Sequence, residues 1–289
     1  MKAIVFGASG QLGVETARAI ERHGYETTRC DRNEVDISDA AKVEQMFAEV
    51  DPDVIFNCAA YNQVDVAEKE PQLALAANAL GVRNLAAVCR QQGARLVHFS
   101  TDYVFDGTAG RPYTEEDHTH PLGAYAVSKL AGELYAQAYL DEPLIIRTSG
   151  VFGPAAVRTN RGNFVELMLR LAHGGQPIRV VEDHVASPTY APFLASRAIE
   201  LVLQGMSGVY HVGGGTPISW FDYAKLIFQH AGMSPDLRPT NAREYRTAAR
   251  RPKYSALANN RMERAGLQKM PSLEQALKEY FEARPLYLV

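Results

Sequence analysis

The sequence predicts an α/β protein built on a doubly wound parallel sheet, with a smaller, mixed α/β domain towards the C-terminus. Two observations on the 289-residue chain lead to this fold class. As far as Thr148, short apolar runs alternate with stretches of helical periodicity, which is the pattern of parallel strands joined by helices. Beyond Thr148 the alternation becomes less regular, and this indicates a second unit of mixed structure.

Five buried strands are expected in the first half of the chain. They are Lys2–Phe6, Glu26–Cys30, Val54–Asn57, Arg95–Phe99 and Leu144–Arg147. The helical stretches between them are 11–23, 40–50, 71–92 and 123–139. Because apolar runs of this kind bury both faces of a strand, helices must cover both sides of the sheet. The arrangement is therefore Rossmann-like.

The second half is expected to hold fewer regular elements. Helices are predicted at 163–173, 191–204, 219–231 and 272–283, and short strands at 178–181 and 208–212. The stretch 232–260 is rich in Pro, Arg and Asn and is interpreted as loops. We place the domain boundary at 150, with a first domain over 1–150 and a second over 151–289. Segments around 178–212 are expected to return to the first domain.

Composition argues against several classes of protein. The net charge is −3 and the basic residues are scattered, so no basic field favours nucleic acid. No apolar run approaches the ~18–20 residues of a membrane span, and the opening "MKAIVFGASG" is a poor signal peptide. The 3 cysteines have neither metal-type nor redox-pair spacing, which favours reduced, buried thiols in a cytoplasmic protein.

A glycine-rich turn joins the first strand to the first helix. In "IVFGASGQLG", Gly7 permits a tight turn, Gly10 lets a diphosphate approach the backbone, and Gly13 lets the helix pack close to the sheet. The free N–H groups of the helix then face the phosphates. The first domain is therefore predicted to bind a dinucleotide. Asp31 after the second strand favours NAD, whereas the adjacent Arg32 favours NADP, so the choice stays open.

The catalytic candidates lie in two later segments. Ser100 and Thr101 follow the fourth apolar run, and Tyr125 and Lys129 stand one helical turn apart. A nearby ammonium lowers the pKa of a tyrosine, which makes the hydroxyl a better acid towards a ketone. A Tyr-x-x-x-Lys pair alone is common, but its order after the glycine turn and Ser-Thr favours catalysis. The same helix is expected to be held by apolar packing residues, namely Val127, Leu130, Ala131 and Leu134.

The combination of segments resembles the dTDP-4-dehydrorhamnose reductase family, which is part of the extended short-chain dehydrogenase/reductases that act on nucleotide sugars. The segments that carry the resemblance span nearly the whole chain. They are "GASGQLG" (7–13), "NCAAYNQVDVAE" (57–68), "STDYVFDG" (100–107), "YAVSKLAGE" (125–133), "RTSGVFG" (147–153), "SPTY" (187–190), "GVYHVGGG" (208–215) and "RRPKYSAL" (250–257).

The resemblance implies that NADH or NADPH reduces the 4-keto group of dTDP-4-dehydro-L-rhamnose to give dTDP-L-rhamnose. It implies that Tyr125 is the acid, that Lys129 tunes it and holds the nicotinamide ribose, and that Thr101 hydrogen-bonds the carbonyl. Further residues would surround the ligands. They are Val64 and Asp102 at the sugar, Gly10, Gln11 and Leu12 at the diphosphate, Asp36 and Ile37 at the adenine, and Ala59, Ala60, Tyr61 and Phe99 along the cofactor cleft.

Two departures from the family pattern stand out. The family commonly has tryptophan after "RTS", in contact with the sugar, and this chain has Gly150. Either the sugar differs or another side chain fills the space. Some members hold a magnesium ion at a dimer contact with several glutamates. Here Glu15 has no acidic counterpart near Pro192, so we expect no metal and interpret Glu15 as an exposed helix carboxylate. A homodimer stays open.

Several basic and amide side chains either contact the nucleotide diphosphate or lie on solvated loops. They are Arg158, Asn160, Arg161 and Asn163 in one segment and Arg250, Arg251 and Lys253 in another, with Tyr254 placed to stack on a base. Of these, Asn163 and Arg251 are predicted substrate contacts.

Three other functions compete with reduction. A 4,6-dehydratase needs Asp-Glu after the threonine, whereas Thr101 is followed by Asp102 and Tyr103. A 4-epimerase uses the same Tyr-Lys pair but consumes no NAD(P)H. A noncatalytic subunit, like the β-subunit of methionine adenosyltransferase, resembles the same family. Another nucleotide-linked 4-keto-6-deoxysugar is an alternative substrate.

Overall fold

A six-stranded parallel sheet forms the centre of the computed structural model, which describes residues 1–159 and 162–287. Its strands are β1 (Lys2–Phe6), β2 (Glu26–Cys30), β3 (Val54–Asn57), β4 (Arg95–Thr101), β5 (Leu144–Thr148) and β8 (Gly208–His211). Their order across the sheet is β2-β1-β3-β4-β5-β8, and each neighbouring pair is parallel. The turns after β1 and β4 therefore lie at the same edge, at the carboxyl ends of the strands.

Helices cover both faces of this sheet. The α-helices of the described residues, some of which belong to the smaller unit, are α1 (Gln11–Arg22), α2 (Ala40–Val50), α3 (Val64–Ala67), α4 (Pro71–Leu75), α5 (Gly81–Gln92), α6 (Ala124–Tyr139), α7 (Phe164–His173), α8 (Ala191–Leu203), α9 (Trp220–Ala231), α10 (Asn260–Arg264) and α11 (Leu273–Ala283). One apolar core joins the sheet to α1, α8 and α10, and another joins its opposite face to α2, α5 and α6. The predicted doubly wound, Rossmann-like fold is confirmed.

The second half contributes to both units. Strand β8 and helix α8 belong to the large sheet and its core. The remaining strands form two small sheets. They are β6 (Ile178–Val181) paired with β10 (Leu237–Thr240), and β7 (Val185–Ala186) paired with β9 (Ile218–Ser219). Helices α7, α9 and α11 pack with them around a third core. Within the range 178–212, β8 and α8 thus lie with the large sheet and β6 lies in a small sheet, while the domain boundary at 150 stays a prediction.

Two expectations about individual elements are wrong, and a third is refined. The stretch 232–260 is not all loop, because it contains β10, whose exposed Arg238 and Pro239 hide the strand pattern. The helix predicted over 71–92 has the expected bounds and contains a π-helical turn at Ala76–Leu80. In α6, Val127 and Leu134 are 48% and 58% exposed rather than packed. The buried side of α6 is instead small or polar.

Within the described residues, no helix combines the length and the apolar character that crossing a bilayer requires. All 3 cysteines are free thiols; Cys30 and Cys89 are buried, and Cys58 is partly buried. Burial raises the pKa of the Cys30 thiol to about 11 and that of the Cys58 thiol to about 12. These thiols are therefore protonated at neutral pH.

Candidate active site

The glycine turn brings β1, α1 and the segment after β3 into close backbone contact. Gly7 has φ +74°, and a Cβ there would lie 2.6 Å from the backbone nitrogen of Ala59. A Cβ on Gly13 would lie 2.1 Å from the carbonyl oxygen of Gly7, so only glycine lets α1 pack this closely. Gly10 begins α1 without a side-chain cap. The first N–H groups of the helix therefore remain available as donors to an anion.

The loop after β2 carries the residues that were expected to choose the cofactor. Asp31 accepts a hydrogen bond from the backbone nitrogen of Asn33 at 2.8 Å. The Arg32 side chain is 79% exposed and pairs with Asp36 at 3.1 Å. Although partial burial acts to raise it, hydrogen bonds from Ser38 and Arg32 hold the pKa of Asp36 below its ordinary value. Neither Asp31 nor Arg32 is committed to the core, so both remain available to a ribose or its phosphate.

Ile37 is buried and contacts Gly81, where a Cβ would lie 2.6 Å from its side chain. Its side chain therefore belongs to the core, and the contact with an adenine stays a prediction. Phe99 is likewise a core residue, and its carbonyl rather than its ring reaches the site. Ala59, Ala60 and Tyr61 follow β3 and are partly exposed along the same edge.

Lys129 is almost fully buried beneath the end of β4. Its Nζ donates to the Phe99 carbonyl oxygen at 2.6 Å, and its side chain is 2% exposed. Burial lowers the pKa of Lys129 to about 8, although the charge of Glu133 acts in the opposite direction. An ammonium held here at neutral pH is poorly solvated. It therefore favours any negative charge that develops nearby, such as a tyrosinate.

Thr101 ends β4 and forms a connected polar group with Asp102 and Ser149. The Thr101 hydroxyl donates to Oδ1 of Asp102 at 3.2 Å, and the Ser149 hydroxyl donates to Oδ2 at 2.8 Å. Burial raises the pKa of Asp102 to about 6, against hydrogen bonds from Ser255, Ser149 and Thr101. The strand register pairs Thr101 with Thr148, so β5 delivers Ser149 to the same place.

Tyr125 lies in the first turn of α6, on the side of the helix that meets the turn after β4. Its ring packs edge to face on Tyr103, with 6.1 Å between ring centroids. Arg251 hydrogen-bonds Tyr103 and forms an ion pair with Asp65 at 2.6 Å. The structure thus brings the predicted Tyr125, Lys129, Thr101 and Arg251 to one edge of the sheet. Val64 opens the neighbouring helix α3.

Two residues that organise this edge were missed by the sequence reasoning. Oε1 of Glu68 accepts the backbone N–H of Ala124 at 2.8 Å and so caps α6 beside Tyr125. Asn78, in the π-helical turn, donates to the Ser128 hydroxyl and to the Tyr61 carbonyl. The sequence signal for Glu68 was its place in "VDVAE", and π-turns recur at functional sites.

A buried ion pair joins α6 to β5. Glu133 and Arg147 are 2.7 Å apart, with side chains 2% and 7% exposed. The Ser100 hydroxyl donates to the same carboxylate, so Ser100 faces Glu133. Both charges are hydrogen-bonded, which is the condition under which a buried pair is tolerated.

Asn163, which precedes α7, already has hydrogen-bond partners within the protein. Its side chain caps α7 by accepting from the Glu166 nitrogen, and its amide donates to Gln11 at 3.3 Å. Gln11 in turn donates to the Val151 carbonyl at 2.9 Å. These contacts join the glycine turn to the second half of the chain. Gly150 lies directly before them in a left-handed conformation, with φ +50°.

Glu15 is not the exposed carboxylate that was expected. It is 3% exposed, and the Tyr287 hydroxyl donates to it at 2.7 Å. Burial raises its pKa, against the charges of Arg18 and Arg22. Arg158 donates to the Tyr287 carbonyl oxygen at 3.1 Å, so it contacts the C-terminal segment.

Asn160 and Arg161 lie outside the described residues. Among the residues that are described, no three His, Cys, Asp or Glu side chains converge as a metal site would require.

Comparison with known proteins identifies the family of the chain. The family model for the RmlD substrate binding domain matches residues 1–285. The dTDP-4-dehydrorhamnose reductase of Streptomyces griseus is 39% identical, over 97% of this chain and 93% of its own. The spore coat polysaccharide biosynthesis protein SpsK of Bacillus subtilis is 37% identical, over 98% of each chain.

A solved structure gives the same result in three dimensions. The dTDP-4-dehydrorhamnose reductase of Bacillus anthracis, crystallised in complex with NADP, superposes with a TM-score of 0.92. It is 37% identical, over 97% of this chain and 98% of its own. The chain is accordingly an NAD(P)H-dependent oxidoreductase, and it belongs to the dTDP-4-dehydrorhamnose reductase family.

Proposed function

We propose that this protein reduces the 4-keto group of dTDP-4-dehydro-L-rhamnose to dTDP-L-rhamnose, with Tyr125 as the proton donor. The observation that carries the proposal is the convergence of Tyr125, Lys129 and Thr101 at the edge where the glycine turn opens. Helix α6 packs on β4 and on the turn at Asp102–Val104, and this packing supports a site in which one carbonyl would contact both Thr101 and Tyr125.

The uncapped start of α1, with its close-packed glycines, fits a dinucleotide diphosphate, and Lys129 fits the nicotinamide ribose. When bound, the reduced nicotinamide supplies a hydride to C4 of the sugar. The electron pair of the carbonyl π bond moves to O4, which takes the proton from the Tyr125 hydroxyl. A proton from solvent then returns to the tyrosinate, so one ketone, one reduced cofactor and one proton give one alcohol and one oxidised cofactor.

Each residue has a separate task in this scheme. Thr101 holds O4 by a hydrogen bond, and Lys129 stabilises the tyrosinate, because an ammonium nearby lowers the pKa of a phenol. Glu68 and Asn78 act on Tyr125 only through α6, so they are positioning residues. Arg251 and Asp65 lie at the mouth of the same cleft, where the guanidinium can exchange its carboxylate partner for a phosphate.

The test is a stoichiometric assay with authentic dTDP-4-dehydro-L-rhamnose. We expect one NAD(P)H to be oxidised for each sugar reduced, with dTDP-L-rhamnose as the product. Conversion of a nucleotide sugar without net NAD(P)H consumption would instead identify an epimerase. Because Gly150 departs from the family pattern, a second 4-keto-6-deoxysugar nucleotide should be run in parallel. A higher kcat/KM for that sugar would overturn the assignment of the substrate while leaving the reductase chemistry in place.

A further inference from the structure

An aromatic side chain closes on the backbone of Gly150. The Cη2 atom of Trp220 lies 3.4 Å from the point that a Cβ on Gly150 would occupy, and Pro188 lies equally close to that point. Gly150 follows Ser149, whose hydroxyl holds Asp102. The indole therefore lies beside Gly150, two residues beyond Thr148, which pairs with Thr101 in the sheet.

Rigid elements fix the Trp220 ring in this place. Its backbone nitrogen donates to the His184 carbonyl at 3.1 Å, and it begins α9, which Ser219 caps through the Asp222 nitrogen at 3.0 Å. The ring packs edge to face on Phe164 with 4.7 Å between centroids. Trp220 nevertheless stays partly exposed. A large, well-held aromatic face that remains partly solvent-accessible is suited to bind a ligand.

We propose that Trp220 forms the apolar wall against which the hexose ring of the nucleotide sugar packs, and that it sets the preference for a 6-deoxysugar. This inference rests on the proposed function. The polar groups of the pocket, Thr101, Asp102 and Ser149, lie on the β4–β5 side and address the oxygens of the sugar. Trp220 faces the C–H surface, where a C6 methyl group buries well and a hydroxymethyl group would lose hydrogen bonds to water.

Glycine at 150 is what allows this arrangement. Its φ of +50° is disfavoured for residues with a Cβ. Any larger side chain would also grow from a point already 3.4 Å from the indole, so it would have to displace Trp220 or cover it. Gly150 and Trp220 therefore act together as one specificity element.

The chain contains 1 tryptophan, so its emission reports on this wall alone. The protein saturated with NADP⁺, which does not absorb tryptophan emission, should be titrated with dTDP-L-rhamnose and, separately, with dTDP. We expect dTDP-L-rhamnose to quench or shift the emission and dTDP to leave it nearly unchanged. An emission that does not respond to dTDP-L-rhamnose, at concentrations that inhibit turnover, would overturn the inference.

Kinetics of two variants supply the second readout. We expect Trp220→Leu to raise KM for the sugar nucleotide roughly tenfold and to reduce discrimination against a 6-hydroxy sugar by a similar factor. The kcat and the Kd for NADP⁺ should change little, and Trp220→Phe should restore most of the affinity. Phe221→Leu, on the next position of α9, is the matched control and should leave KM unchanged. Equal KM values for wild type and Trp220→Leu would contradict the proposal.

The two proposals fail in different ways. If wild type turns over the substrate while the emission stays constant, the role of Trp220 is wrong and the reductase stands. If the emission responds to the nucleotide sugar but no NAD(P)H is consumed, the reductase assignment is wrong and Trp220 still marks a sugar site.

Discussion

Replacement of Lys129 by methionine should make the protein more stable and less active at the same time. Burial lowers the pKa of Lys129 from 10.5 to about 8, a difference that corresponds to about 3 kcal/mol against folding with the ammonium charged. Methionine also loses the hydrogen bond to the Phe99 carbonyl, which is worth about 1 kcal/mol. We therefore expect the free energy of unfolding at pH 7 to rise by about 2 kcal/mol.

The stability difference between Lys129→Met and wild type should depend on pH in a defined direction. Since the folded state releases the proton at about pH 8, the unfolded chain binds more protons between there and its own pKa. The free energy of unfolding of the wild type therefore rises with pH through that window. The advantage of Lys129→Met is fully present below pH 8 and disappears as the pH approaches 10.5.

Urea denaturation of the cofactor-free protein at pH 7 and at pH 10 measures both quantities. Lys225→Met is the matched control, because Lys225 is 53% exposed and makes only surface contacts in the described structure, an ion pair with Asp222 and a cation–π contact with Phe221. Its loss should therefore change stability by less than about 1 kcal/mol. The reasoning would be refuted if Lys129→Met were less stable than wild type at pH 7. It would also be refuted if the variant were stabilised at pH 10 by as much as at pH 7.

Three further predictions concern groups around the same helix. Glu133→Gln should destabilise the protein by about 3–5 kcal/mol in urea, because it leaves the charge of Arg147 buried without a partner; Glu21→Gln, from an exposed pair, should cost less than about 1 kcal/mol. The pKa of Asp102 is raised to about 6 in the folded state, so its carboxyl keeps its proton to a higher pH than in the unfolded chain, and the free energy of unfolding of the wild type should fall by about 3 kcal/mol as the pH rises from 4 to 6. Asp102→Asn should remove this fall. Parallel plots of unfolding free energy against pH for variant and wild type would contradict the prediction. Glu68→Ala should lower kcat while changing KM little, and it should reduce the free energy of unfolding by about 1 kcal/mol. Glu68→Gln retains the acceptor for the backbone N–H of Ala124 and should retain most activity.

The central sheet could be predicted closely from the sequence, because buried parallel strands appear as short apolar runs between helices. The first three strands have the expected bounds, and β4 continues two residues past Phe99 to Thr101. Apolarity cannot show that extension, since Ser100 and Thr101 are polar and join the ladder only because β5 pairs with them.

Helix α6 shows where periodicity misleads. Its buried side holds Ser128, Lys129 and Glu133, because these side chains meet Asn78, the Phe99 carbonyl and Arg147. The hydrophobic effect alone would turn the opposite face inwards. A functional helix that buries polar groups thus inverts the usual pattern, and only the Tyr-Lys spacing signalled it.

Contacts between segments that are far apart in the chain could not be predicted from the sequence. The burial of Glu15 depends on Tyr287, and the cap on α6 depends on Glu68 reaching Ala124. In the same way, the sequence around Trp220 shows only an aromatic residue at the start of a helix. Its approach to Gly150 follows from the placement of the start of α9 beside the segment after β5, which no local pattern encodes.

The most direct test of the account is NAD(P)H oxidation by wild type and Tyr125→Phe with dTDP-4-dehydro-L-rhamnose. The variant keeps the ring that packs on Tyr103 and removes only the hydroxyl. We predict that it binds NADPH with unchanged affinity and loses at least about a hundredfold in kcat, the usual contribution of a general acid. Equal turnover by the two proteins would remove Tyr125 from the mechanism and contradict the account.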